Sequence, residues 1–241
     1  MSIGPHPHTG LHTVTWLLEG ELTHHDSLGS EQLIRPGELN LMTAGHGVAH
    51  AEEAPTTYTG GAHGVQLWVA QPESTRHGAA AFEHHASLPH MDIGGGVGTV
   101  LIGTFGDVTS AARADTPMVG VDVVLDAGSH VLPLRHDFEY AFVVLEGALS
   151  IDTDVLEPGN LGYLGMHRDE IAVDTVERTR ALLLGGEPFE GPILMWWNFV
   201  ARTRDEVDLA TKEWNDGNER FGSVHSGLDR IPAPGTPWRS S

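Results

Sequence analysis

The sequence predicts an all-β protein with two similar barrel or sandwich units followed by one short helix. The chain has 30 glycines and 14 prolines among 241 residues, which is typical of many short strands joined by tight turns. Its apolar segments are rich in β-branched or aromatic residues, and two sequence landmarks recur in the same order in both halves. This combination favours a β-sandwich or barrel over a helical fold.

Six segments carry the strand signal, and glycine or proline punctuates the gaps between them. They are HTVTWLLEGEL, GVQLWVA, VGTVLIGTFG, MVGVDVVLDAG, YAFVVLEGALSID and RALLLGG.

An internal repeat predicts that these strands form two tandem units. Leu-Glu-Gly at 18–20 is followed by Pro-Gly at 36–37, and the same pair recurs at 145–147 and 158–159. The offsets are similar, so the two halves are expected to share one β architecture, with the division near residue 105.

The end of the chain predicts a helix. Thr203 and Glu206 have the spacing of a capping box, in which each side chain accepts a hydrogen bond from a backbone N–H of the first turn. An apolar side follows, and Gly217 suits the stop, so a helix is expected over 203–217. The expected division is therefore into an N-terminal domain, a second domain and a C-terminal helix with tail, at 1–105, 106–200 and 201–241.

Composition excludes several classes of function. The chain has no cysteine, which excludes disulfides, thiolate metal ligands and a cysteine nucleophile, and which predicts a cytoplasmic protein. A formal net charge of −20 repels phosphate backbones, so direct nucleic-acid binding is not expected. No run approaches the roughly 18 apolar residues of a membrane helix, and no signal peptide is recognised.

Two short motifs predict a metal site. Alternate side chains of a strand point the same way, so His6 and His8 are expected to face together. His50 and Glu52 are also two residues apart, and Gly45 predicts a sharp turn of the backbone just before them. If the two segments are neighbouring strands of a barrel, they bring three imidazoles and a carboxylate to one ion.

These segments resemble the pirin family of the cupin superfamily, and the similarity covers nearly the whole chain in order. The residues that carry it are PHPHTG at 5–10, TVTWLLEGELTHHDSLG at 13–29, RPGELNLMTAGHGVAHAEE at 35–53, HGVQLWVA at 63–70 and GGEPFEGPILMWWNFVARTRDEV at 185–207.

The resemblance implies two tandem cupin (jelly-roll-like) barrels with iron in the N-terminal one. The implied ligands are His6, His8, His50 and Glu52. The second barrel is expected to lack a metal, because the repeat offsets place other residues at the ligand positions: Pro133, Arg135, Ala172 and Asp174. Related proteins carry more residues before the His-x-His motif, so either the true start lies upstream of Met1 or this barrel needs a partner or an altered edge.

The expected chemistry is that of an open divalent site. Iron(II), manganese, nickel and cobalt accept three imidazoles and a carboxylate with two positions left open, and zinc tolerates the same ligands. The resemblance implies a quercetin 2,3-dioxygenase that opens flavonols with dioxygen. In that hypothesis Glu52 is both a ligand and the catalytic base that takes the proton of the substrate hydroxyl.

Two alternatives stay open. Pirin-like proteins also act as redox-sensing regulatory partners of a transcription factor or a metabolic enzyme, without catalysis. The third hypothesis is a vestigial cupin whose metal only stabilises the fold.

Other histidines receive minor roles. His12 is expected to share a face with His8, which suggests a place in the pocket or behind a ligand. Four more are expected to be solvated: His24, His25, His84 and His85.

Overall fold

Antiparallel strands dominate both parts of the chain that the computed structural model describes, residues 2–55 and 60–238. The chain divides into two compact units, Met1–Ser87 with Glu190–Ser241 and Leu88–Phe189. Each unit is described separately below.

Eight strands of the first unit form two four-stranded sheets. Their order is β1-β6-β3-β4 in one sheet and β7-β2-β5-β8 in the other. The strands are β1 (Ile3–His8), β2 (Leu11–Glu19), β3 (Leu22–Asp26), β4 (Glu31–Ile34), β5 (Leu39–Thr43), β6 (Val48–Glu53), β7 (His63–Ala70) and β8 (Ala81–His85).

The second unit repeats this arrangement. One sheet has the order β13-β18-β15-β16, which matches β1-β6-β3-β4, and the other has the order β11-β10-β12-β19-β14-β17, with β9 on β10. The strands are β9 (His90–Asp92), β10 (Gly96–Phe105), β11 (Val108–Thr109), β12 (Met118–Leu125), β13 (Gly128–Pro133), β14 (Glu139–Glu146), β15 (Leu149–Ile151), β16 (Asp154–Leu156), β17 (Leu161–Gly165), β18 (Glu170–Thr175) and β19 (Thr179–Gly186). The predicted all-β fold with two β units is confirmed.

The repeated landmarks in the sequence are left-handed turns. Gly20 and Gly147 have φ of 87° and 71°, and Gly37 and Gly159 have φ of 88° and 85°. A Cβ at Gly20 would lie 2.7 Å from the carbonyl oxygen of Gly61. Because side-chain-bearing residues rarely adopt this conformation, glycine recurs at these two turns of both units.

The compact units do not follow the expected division at residues 105 and 200. Strand β10 pairs with β12 over most of its length, so residues 96–105 belong with the second unit. The chain then returns to the first unit with β20 (Leu194–Trp196) and β21 (Phe199–Ala201). The β10–β12 pairing, which the sequence does not display, decides the first boundary. An isolated bridge between Thr9 and Phe199 links the returning segment to the first unit.

The C-terminal helix is confirmed as α1 (Arg204–Asn215). Thr203 caps it: its side chain accepts from the backbone N–H of Glu206, and the Glu206 carboxylate accepts from the N–H of Thr203. Val207 and Trp214 are buried against Phe199 in a shared apolar cluster. Within the described ranges, no helix has the length and apolar character needed to cross a membrane.

Candidate metal centre

The His-x-His motif lies on an edge strand. Because Pro5 and Pro7 have no N–H to donate, they are tolerated in β1, which among the described residues has a neighbouring strand on one side only. Strand alternation places His6 and His8 on the same face, and the β1–β6 ladder sets His6 opposite His50. Two segments far apart in sequence thus present their imidazoles together.

His6, His8 and His50, here called the histidine triad, form a buried group whose ligand atoms lie within 4.8 Å of one another. The ring centroids of His6 and His50 are 4.3 Å apart. Nε2 of His8 lies 3.0 Å from Nε2 of His50. Ring nitrogens that bind one ion at about 2.1 Å and at a right angle lie about 3.0 Å apart, so this spacing suits two neighbouring ligands.

Backbone carbonyls fix the orientation of two of these rings. His6 Nδ1 donates to the Gly4 carbonyl at 2.9 Å, and His8 Nδ1 donates to the Asn198 carbonyl at 3.2 Å. A carbonyl oxygen only accepts, so each Nδ1 carries the hydrogen and each neutral ring keeps a lone pair on Nε2. Lone pairs on converging buried imidazoles are the donors that a divalent transition ion prefers, and the triad fits such an ion.

Glu52 lies in a second, overlapping group with His24 and His50, whose ligand atoms are also within 4.8 Å of one another. Its Oε1 accepts from Gln66 Nε2 at 2.6 Å and from Thr15 Oγ1 at 3.5 Å. The structure therefore brings three of the four predicted ligands into one group and links Glu52 to that group through His50.

The expectation that His24 is solvated is wrong. The residue is 4% exposed, and its ring stacks on Phe82 with ring centroids 4.5 Å apart. His24 Nε2 donates to Asp26 Oδ2 at 3.2 Å, while its Nδ1 lies 3.3 Å from Nδ1 of His50. Strand alternation could have predicted this burial, because His24 and Asp26 lie on the same face of β3 as the apolar Leu22.

The other three histidines expected to be solvated are partly buried: His25, His84 and His85. His84 Nδ1 donates to Asn40 Oδ1 at 2.8 Å, and His85 Nε2 donates to Glu83 Oε2 at 3.1 Å.

His12 belongs to neither ligand group. It pairs with Thr43 across the β2–β5 ladder and Nδ1 lies 2.9 Å from Thr43 Oγ1. Thr15, which contacts Glu52, has the opposite parity along β2 and therefore faces the other way. Gly10, at φ of 67°, turns the chain between β1 and β2, so the alternation that would unite His8 with His12 is interrupted.

Two further residues beside the site were missed from the sequence, Gln66 and Trp68. The Trp68 ring meets His8 edge-on at a centroid distance of 5.2 Å and keeps 38% of its surface exposed. Both residues share the parity of β7 whose members are mostly exposed, so alternation within HGVQLWVA groups them on one face but does not show that this face borders the ligand group.

The second unit lacks a corresponding set of ligands in its described residues, since both ligand groups lie in the first unit. Its β13–β18 ladder pairs Val131 with Ala172, at the place where β1 and β6 pair His6 with His50. By strand pairing His6 therefore corresponds to Val131, whereas the repeat offset gave Pro133, two positions later.

Burial controls the charge of the site. It is the largest cause of a pKa well below the ordinary 6.5 at His8 and at His50, and the nearby imidazole of His6 adds to the effect. Burial also raises the pKa of Glu52 above 4.5, against the influence of His24 and the hydrogen bonds from Gln66 and Thr15. Near neutral pH the imidazoles are uncharged, as metal binding requires.

These shifts predict an acid-sensitive metal-free protein. Below about pH 6.5 the unfolded chain binds protons at His8 and His50, whereas the folded chain does not, so the free energy of unfolding falls. The loss is about 1.4 kcal/mol per pH unit for each imidazole once the unfolded form is fully protonated. Urea unfolding of chelator-treated protein between about pH 7.5 and 5.5 measures this loss, and a flat profile would contradict it.

Comparison with known proteins places these features in a family. The family models described as Pirin and as Pirin C-terminal cupin domain match residues 1–69 and 120–222. The crystal structure of quercetin 2,3-dioxygenase from Acinetobacter baumannii is 43% identical, with a TM-score of 0.95 over 100% of this chain and 81% of that one.

Two relatives named for the family are also similar over most of their length. A pirin-like protein of Caulobacter vibrioides is 34% identical over 96% of this chain and 81% of its own. Pirin of Homo sapiens is 30% identical over 94% of this chain and 80% of its own. With its two cupin domains, the chain belongs to the pirin family.

Proposed function

We propose that the chain is an iron(II)-dependent dioxygenase that acts on flavonols such as quercetin. The observation that supports it most is the histidine triad, in which buried rings direct ligand nitrogens to one place. The similarity to a protein crystallised as a quercetin 2,3-dioxygenase supports the choice of reaction. In this proposal His6, His8, His50 and Glu52 hold the ion, and the second barrel holds none.

The residues divide the work between holding the ion and moving a proton. When bound, the ion supplies Lewis-acid polarisation of a substrate hydroxyl and electron transfer with dioxygen. Glu52 accepts the proton that the substrate hydroxyl loses. In the metal-free chain burial raises the pKa of its carboxyl group, and a general base is most effective when its pKa approaches the working pH.

Gln66 and Thr15 keep the carboxylate in place. Both donate to Oε1 of Glu52, so that oxygen is oriented by the β2–β7 pair of strands. The proton from the substrate is then taken up at Oε2. Changing Gln66 alters the orientation of the base without removing it.

An exposed aromatic side chain beside the histidine triad supports a planar aromatic substrate. Trp68 combines contact with His8 and partial exposure, which places an accessible ring beside the ligand group. A flavonol presents two aromatic faces, and an offset or edge-to-face contact with an indole stabilises such a ligand by about 0.5–1.5 kcal/mol beyond area burial.

Aerobic assay of the full chain with a flavonol panel tests the proposal. We expect protein loaded with iron(II) to consume one dioxygen per flavonol opened, and chelator-treated protein to consume none. Loss of flavonol without matching dioxygen uptake would contradict a dioxygenase. Absence of turnover with iron, manganese, nickel and cobalt, together with redox-dependent co-purification of a protein, would instead support the regulatory hypothesis.

The proposal also places the activity in the cytoplasm, as the cysteine-free composition predicts, and fractionation of the source cells checks it.

A further inference from the structure

A buried histidine–carboxylate pair lies behind the histidine triad. The β3–β6 ladder sets Asp26 opposite His50 and His24 opposite Glu52, so the pair is built into the strand that adjoins two proposed ligands. His24 and Asp26 are both almost fully buried. The proposed function gives neither residue a role.

Asp26 is firmly anchored and can only accept. Its Oδ1 accepts from the backbone N–H groups of Leu28 and Ser30, each at 2.9 Å. Its Oδ2 lies 3.2 Å from His24 Nε2. The carboxylate therefore requires a hydrogen on Nε2 of His24, which leaves a lone pair on Nδ1 of the neutral ring.

That lone pair faces His50. The two Nδ1 atoms of His24 and His50 are 3.3 Å apart, and the hydrogen between them must come from His50 because His24 Nδ1 is the acceptor. With its hydrogen on Nδ1, His50 keeps Nε2 free, and Nε2 is the atom that lies 3.0 Å from His8 Nε2. Each bond in the series thus sets the direction of the next.

We propose that His24 and Asp26 are positioning residues that fix the hydrogen of His50 on Nδ1 and hold its Nε2 lone pair toward the ion. This inference rests on the proposed function, since it gives His50 a metal to bind. The flat stacking of His24 on Phe82, at an interplanar angle of 14°, fixes the plane of the relaying ring. Because both nitrogens of His24 are used in hydrogen bonds, His24 acts on the ion only through His50.

Asp26→Asn tests the relay with almost no change in shape. The amide oxygen must take the place of Oδ1 to keep the hydrogen bonds from the backbone N–H groups of Leu28 and Ser30. The amide NH2 therefore points toward His24. The hydrogens of His24 and His50 then move to the opposite nitrogens, and His50 presents an N–H where it presented a lone pair. We expect nickel(II) affinity, measured by calorimetry on the full chain, to fall about 10–100-fold.

Glu83→Gln is the matched control. Glu83 accepts from His85 at 3.1 Å in the same unit, and His85 is in neither ligand group. We expect its nickel(II) affinity to stay within about twofold of the wild type, well below the effect expected for a residue behind a ligand.

Nitrogen NMR of the metal-free protein shows directly which ring nitrogen of each histidine carries the hydrogen. This measurement does not depend on turnover. At about pH 8, above the ordinary histidine pKa, we expect the wild type to carry hydrogen on Nδ1 of His50 and on Nε2 of His24, and Asp26→Asn to show the reverse. Should Asp26→Asn not fold, the wild-type spectrum alone decides.

Three results would overturn the inference: hydrogen on Nε2 of wild-type His50, unchanged nickel(II) affinity in folded Asp26→Asn, or two nickel ions per chain with one lost in His24→Ala. The last result would make His24 a ligand. Failure of the wild type to bind any metal while the NMR assignment holds would refute the proposed function and leave the hydrogen-bond relay intact.

Discussion

Glu52→Gln is expected to keep the metal and to lower flavonol turnover about 100- to 10,000-fold, the usual contribution of a general base. Glutamine has nearly the same shape, and its amide oxygen still accepts from Gln66, so the side chain stays beside His50. It cannot take up a proton at the second position. Turnover measured at equal iron content, with iron determined by elemental analysis, isolates this loss.

Glu53→Gln is the control for the charge change. Glu53 is the next residue on β6 and points to the opposite side, where its carboxylate accepts from Ser226 at 2.6 Å. Its replacement should leave turnover unchanged. Equal turnover of wild type and Glu52→Gln at equal metal content would remove Glu52 as the base while leaving its role as a ligand open.

The segments that carry the proposed ligands were predictable because each is local. Strand alternation places His6 beside His8, and two residues suffice to see it. Glycine punctuation likewise predicted the turns, since a positive φ leaves few other choices at Gly20 and Gly147. The capping box of α1 is another pattern contained in four residues.

What the sequence did not reveal depends on which strands are neighbours. His24 lies four residues from Gly20 in a segment that reads as polar, and only the β3–β6 ladder shows that it faces His50. Gln66 on β7 donates to Glu52 on β6, fourteen residues earlier, although the two strands belong to different sheets. Side-chain packing also returns residues 190–241 to the first unit, where Ala49 lies in one apolar cluster with Phe199 and Trp214, and no local pattern indicates this.

His50 is the proposed ligand that both groups share, and His50→Ala is expected to lower nickel(II) affinity by more than about 100-fold. This loss exceeds that of a residue behind a ligand, because the substitution removes a nitrogen that would contact the ion. It also removes the residue that the two ligand groups share. Calorimetric titration of the full chain measures the change.

His12→Ala controls for the cavity that the substitution creates. His12 is as buried as His50 but lies on the face of β2 turned away from Thr15 and belongs to neither ligand group. We expect His12→Ala to destabilise the fold about as much as His50→Ala does and to retain nickel(II) binding.

Removing His50 should also lower the acid sensitivity of the metal-free protein by about 1.4 kcal/mol per pH unit, because one imidazole of depressed pKa is gone. Tight binding in His50→Ala would place the ion outside the triad, whereas loss of binding with the expected change in acid sensitivity ties both properties to one ring.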